Sequence, residues 1–167
     1  MGRWTQTDIA GKPADVFEPS RPLDPARGLL ALHGQDLRTL ADDPTFTPLL
    51  EDRGLFAICP HGGQCWWGSR ICNEFDVEID PLHFLHQRLL PEVTERWGVA
   101  PPLLAAFGIE MGGQGALRLA YRWPREFAVV AAISPAVDFQ NWHGRGTALD
   151  DMYPTRESAR QETATLE

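Results

Sequence analysis

The chain has 167 residues, 43% hydrophobic and 23% charged, which suits one globular domain with a core of its own. Its 15 Lys+Arg against 23 Asp+Glu give a net charge of −8 without a basic cluster, which argues against nucleic acid and anionic membrane as partners. No apolar run approaches the roughly 18 residues of a membrane span. The amino terminus lacks an apolar signal core, and Gln6 breaks the myristoylation pattern that Gly2 would begin. An odd set of cysteines, Cys59, Cys65 and Cys72, then favours reduced thiols and a cytoplasmic location.

In chain order, residues 11–27 hold four prolines and read as an edge strand that passes into a loop. "GLLALHG" (28–34) is a short apolar run closed by His-Gly and predicts a buried strand. A short helix follows over 45–54, with Asp43 or Thr45 as its cap and Gly54 as its stop. "LFAICP" (55–60) predicts a second buried strand, and 61–76 a long loop rich in glycine and aromatics. Residues 80–98 carry apolar side chains at helical spacing. Asp80 suits the N-cap, Pro81 the first turn and Gly98 the stop, while Pro91 should kink or split the helix. "PLLAAFG" (102–108) is a third strand, 112–124 a helix ended by Pro124, and "FAVVAAIS" (127–134) a fourth strand. The remainder is loop plus one short polar helix from about 155, inside which the terminal "TATLE" falls.

Apolar strands alternating with helices predict β-α-β units, hence an α/β fold with a mostly parallel sheet flanked by helices. Reactive loops in such sheets lie beyond the carboxyl ends of the strands, here after Leu32, Pro60, Gly108 and Ser134. One of them has a specific form. Gly108-Ile109-Glu110-Met111-Gly112 has glycines two before and two after its central residue, at a strand-to-helix transition. Small neighbours let strand and helix pack closely, and the central side chain stands exposed above the sheet. The next amide, that of Met111, points at a developing oxyanion, and the helix amino terminus adds positive potential.

The segments "LLALHG", "LFAICPHGGQCWWG", "GIEMGGQGALRLAYRWPREF" and "VVAAISPAVD" together resemble the α/β-hydrolase esterases of the esterase D type, which include S-formylglutathione hydrolases, feruloyl esterases and mycolyltransferase-like proteins. The resemblance covers residues 28–140 and implies hydrolysis of carboxylic or thio esters through an acyl-enzyme. It places Glu110 at the nucleophile position, Met111 and Gln35 as oxyanion amides, and His33, Gly34, Trp66, Trp67 and Gln114 around the substrate. It implies no cofactor or metal, a small-molecule ester as partner, and leaves self-association open. The chain departs from the pattern twice. Glu110 replaces the serine, and the family's acid and histidine follow later strands, for which 167 residues leave no room. The expectation is therefore one truncated α/β-hydrolase domain: an N-terminal strand and Pro-rich lead-in (1–27), a sheet core with the elbow (28–134) and the start of a cap or crossover region (135–167), with an apolar sheet edge left exposed.

Three readings of Glu110 stay open. A carboxylate attacking an ester forms a high-energy anhydride and repels the oxyanion, which predicts a non-catalytic, ligand- or partner-binding relative. Attack at an sp³ carbon, as in haloalkane dehalogenases and epoxide hydrolases, would suit a carboxylate nucleophile. Glu110 could also serve as a general base for water. Its bland counterpart is a surface glutamate favoured in a first helical turn. His33 reads as a brace for the oxyanion loop. Trp66 and Trp67 read equally as pocket wall and as core. His61 with Cys65 and Cys72, and His83 with His86, match no defensible zinc spacing. Ser69 and Ser134 lack the elbow geometry, the resemblance places the family's acid later than Asp138, and the glycines at 112, 113 and 115 lack the order of a nucleotide loop.

Overall fold

The computed structural model describes residues 1–163; the end of "TATLE" lies outside them. β1 (Arg3–Ile9) and β2 (Lys12–Glu18) form a hairpin in which Ile9 pairs with Lys12 across a two-residue turn. Both turn residues have positive φ, Ala10 at 54° and Gly11 at 84°, the backbone that matches the twist of a tight hairpin. The sequence reading expected only one edge strand here. The half-exposed "RWTQTDI" has little apolar signal, and Ala-Gly is a weaker turn signal than Asn-Gly.

The elements that follow lie close to their expected places. They are β3 (Gly28–Leu32), α1 (Phe46–Asp52), β4 (Phe56–Pro60), α2 (Pro81–Phe84), α3 (Leu90–Trp97), β5 (Leu104–Ile109), α4 (Met111–Arg122), β6 (Val130–Ile133), α5 (Leu149–Met152) and α6 (Arg156–Gln161). Asp80 caps α2 by accepting from the His83 amide at 2.9 Å, and Gly98 ends α3 at φ 67°. Between α2 and α3 the chain widens into a π-helical segment, Leu85–Leu89, in which the Leu90 amide bonds to the Leu85 carbonyl. Pro91, which has no amide to give, follows at once, so the predicted split is a local widening and not a break. Thr45 occupies the α1 cap position without a side-chain cap bond; its amide donates instead to Asp43 at 2.9 Å.

The six strands form one sheet in the order β1-β2-β4-β3-β5-β6. β4, β3, β5 and β6 are parallel, and the β1–β2 hairpin joins antiparallel through β2. This is a mixed, mostly parallel α/β-hydrolase-like sheet. One face packs Leu30, Leu32, Ile58 and Leu104 under α3 and α4, and the other packs Phe17, Ala31, Ala57 and Phe107 with Leu50 of α1. From β3 the chain moves to β4 on one side and then to β5 on the other, so the strand order reverses at β3. The crevice beyond the carboxyl ends of β3 and β5 is where such a sheet presents a site. β6 is an outer strand of the sheet, and Ile133 within it is 51% exposed.

The three cysteines are buried free thiols. Burial pushes the Cys59 thiol up to about 12 and raises Cys65 and Cys72, which disfavours their thiolate forms. Among the described residues no helix is long and apolar enough to cross a membrane.

The most tightly constrained contact is where α4 crosses β3 and β5. A Cβ on Gly108 would overlap the Gly112 carbonyl, and one on Gly112 would overlap the Leu32 carbonyl. Backbone on both sides leaves nothing flexible to move aside. Gly112→Ala should therefore cost roughly 3 kcal/mol or more of stability, read as a lower midpoint in urea unfolding, whereas Gly144→Ala, which meets no atom within 4 Å, should lose only the smaller cost of its positive φ.

Candidate active site

Glu110 sits between β5 and α4 at φ 48°, ψ −110°. This backbone is unfavourable for a residue with a Cβ, and costs of order 1–3 kcal/mol. Three hydrogen bonds hold it. The Glu110 amide donates to the Ile133 carbonyl at 2.9 Å, and its carbonyl accepts from the Ala136 amide at 2.9 Å and the Gln114 amide at 3.2 Å. The strand register on both sides and the close helix crossing thus over-determine the turn. The Glu110 side chain is left exposed above the sheet at the start of α4.

Its carboxylate turns toward the loop after β3. The Gln35 amide donates to Glu110 Oε2 at 3.3 Å. A Cβ on Gly34 would come within 2.9 Å of the same oxygen, so glycine at 34 is what lets the carboxylate reach this amide. Met111 is the first residue of α4, and its amide has no intrahelical acceptor. Its sulfur accepts from the Trp66 amide at 3.1 Å.

His33 lies behind the Gly34–Gln35 turn and is 4% exposed. Its Nε2 faces the Gly62 amide at 3.0 Å and must be the acceptor, because an amide can only donate. The proton therefore sits on Nδ1, which donates to the Gly34 carbonyl at 2.8 Å. The neutral ring ties the loop after β3 to the loop after β4. Burial lowers its pKa first of all; the Gly34 bond opposes this, and His61 adds to it.

Trp66 and Trp67, both fully buried and both at positive φ, complete the support. Trp67 Nε1 donates to the His33 carbonyl at 3.2 Å, and a Cβ on Gly115 would overlap Trp67. Trp66 packs against Phe139 and Trp142, and its Nε1 has no hydrogen-bond partner among the described residues. Gln114 is buried too: its Nε2 donates to the Trp66 carbonyl and its Oε1 accepts from Arg118. Glu110, Met111, Gly34 and Gln35 therefore meet at one point, while His33, Trp66, Trp67 and Gln114 form the packing beneath it.

The other candidates lie apart from this point. His61 bonds Asp15 at 2.9 Å, and Thr39 donates to the same carboxylate oxygen at 2.8 Å. His83 bonds Asp80, His86 bonds Glu126 and stacks on Trp123, and His143 bonds the Tyr153 carbonyl. With His33 these are all five histidines, and none is hydrogen-bonded to Glu110. Asp138 accepts from the nearby Asn141 side chain at 2.6 Å. Sequence reasoning overlooked the fully buried Arg118. The signal was present: Gln114, Arg118 and Arg122 recur every four residues and form one polar stripe along α4.

A sequence profile of the family described as "Putative esterase" matches residues 71–164, more than half of the chain. The chain belongs to this esterase family. Solved structures agree on the fold. An S-formylglutathione hydrolase from Agrobacterium tumefaciens matches 98% of this chain with a TM-score of 0.73 at 15% identity. Mycobacterium tuberculosis MPT51 (FbpC1) matches 99% with a TM-score of 0.74 at 17%, and a ferulic acid esterase 98% with 0.69 at 15%. In each case the chain spans 68% of the other protein's length. Comparison with curated proteins returned no match. The esterase family relation makes a small-molecule ester the substrate class to test.

The locked tautomer of His33 has a consequence for pH. The folded chain holds the neutral ring, so its pKa lies below the ordinary value of about 6.5 that the unfolded chain retains. Above 6.5 the contribution is complete; as pH falls below it, the unfolded chain takes up the proton first and stability is lost. Urea midpoints measured between pH 7.5 and 5 should fall more steeply for the native chain than for His33→Gln, which cannot titrate.

Proposed function

We propose that this chain binds small carboxylic or thio esters, the substrate class of its family, and that Glu110 prevents it from hydrolysing them. The observation that carries this reading is the hydrogen bond from the Gln35 amide to Glu110 Oε2. In acyl transfer an amide in that place would stabilise the oxyanion that forms when a nucleophile adds to the carbonyl. Here it already serves a fixed negative charge. Two like charges about 4 Å apart repel by roughly 4 kcal/mol at the effective dielectric of a protein surface, which alone would slow the step by about a thousandfold.

The nucleophile fails for a second reason. A carboxylate that adds to an ester and expels the alkoxide leaves an acid anhydride, which is less stable than the ester consumed. A serine in the same turn would need a base to take its proton, and no histidine is hydrogen-bonded at this position. What remains is a strained turn and a helix amino terminus, whose free amides would hold a neutral carbonyl compound once Glu110 swings aside.

The test is p-nitrophenyl acetate hydrolysis by the chain, by Glu110→Gln and by Glu110→Ser. The chain and the Gln variant should match the buffer rate. The Ser variant should show slow acylation, detectable by mass, with little turnover. Turnover by the chain that disappears in Glu110→Gln would sink this reading in favour of a working carboxylate.

A further inference from the structure

A cleft of about 580 Å³ opens at the far end of α4 from Glu110. Arg122, in the last turn of α4, lies 12 residues beyond Glu110, roughly 18 Å along a helix. The cleft is cationic although the chain carries a net charge of −8. Arg70 enters from the loop after β4, Arg122 from α4 and His83 from α2. Arg118 lies fully buried beside it and donates to Ser69 Oγ at 3.3 Å. The Arg122 side chain makes no hydrogen bond or ion pair with any described residue.

The acid in the cleft wall is Glu162, just past α6; Asp80 stands behind His83, bonded to its Nδ1 at 2.7 Å. Glu162 is held in a definite way. Its Oε1 pairs with Arg70 at 2.9 Å, its Oε2 accepts from Ser69 Oγ at 3.4 Å, and its backbone carbonyl accepts from Arg118. The site thus already displays how it takes a carboxylate: one arginine, one hydroxyl, and a buried guanidinium that fixes the hydroxyl. Ile71 and Met152 add apolar wall beside these groups.

We propose that this cleft is a binding site for a small dicarboxylate, in which Glu162 stands in for one ligand carboxylate and Arg122 is the open partner for the other. A ligand with two carboxylates on a short hydrocarbon spacer would displace the Glu162 side chain from Arg70 and Ser69, rest its spacer on Ile71 and Met152, and bring its second charge to Arg122. This site shares no residue with the Glu110 turn, so it stands or falls independently of the ester reading.

Calorimetric titration of the full chain with glutarate tests it, with glutaramide as the uncharged equivalent. Glutarate should bind, and glutaramide should not. Glu162→Gln removes the internal competitor and should tighten glutarate by about tenfold, since an occluded site lowers apparent affinity by its open fraction. Arg122→Gln and Arg70→Gln, introduced singly into Glu162→Gln, should each weaken glutarate by about tenfold or more, the usual size of a charge-assisted contact. Arg122 is exposed and has no partner among the described residues to lose, so its variant should fold as the parent does. The proposal is overturned if Glu162→Gln binds no glutarate, if glutaramide binds as well as glutarate, or if the two arginine variants bind it as tightly as their parent.

Discussion

Where α4 crosses β3 and β5, the backbones approach so closely that the path of the chain through the turn is fixed. Gly108 and Gly112 let backbone touch backbone, and no other side chain fits between them. That approach leaves the chain one way to turn from strand to helix, through a residue at positive φ whose side chain points out of the sheet. Glu110 is presented because glycines stand two residues before and after it, and it is held because β6 and the segment after it bond both its amide and its carbonyl. The strain is local, and the register of β5 against β3 and β6 sustains it.

Electrostatics then decides what the turn can do. The helix amino terminus and the Gln35 amide together favour an anion at this point. In acyl transfer that preference is directed at a transient oxyanion; on the proposed reading the Glu110 carboxylate, bonded by the Gln35 amide, takes that place. On that reading the same physical device that would lower a barrier stabilises a ground state instead. His33 has an equivalent role one layer down. Its neutral ring accepts from one loop and donates to another, so the position of the Gln35 amide depends on a proton placed on Nδ1.

Parts of this architecture could be read directly from residue pattern. The buried strands at 28–32, 56–60 and 104–109 are continuous apolar runs, and the Asp80-Pro81 start and Gly98 stop carry their own capping chemistry. The hairpin of β1 and β2 could not be read in this way. Its first strand is mostly polar and neither strand alternates cleanly, and its stability comes from pairing with β4 and from anchors such as Lys12, which bonds the Phe75 carbonyl and Asp76. The roles of Trp66 and Trp67 were equally closed to inspection. An aromatic pair in a glycine-rich loop suits a pocket wall or a core, and only the packing against Phe139, Trp142 and Phe75 puts both inside.

Spacing and residue size are local properties, so the α/β class, the glycine-flanked turn and the residue at its centre are all legible along the chain. Where the Glu110 carboxylate goes depends on the fold. Its partner is 75 residues earlier in the chain, and the two meet because β3 and β5 are neighbours in a sheet whose order reverses at β3. The cationic cleft has the same origin: Arg70, His83, Arg122 and Glu162 come from four segments, and no pattern along the chain announces a site that exists only where those segments converge.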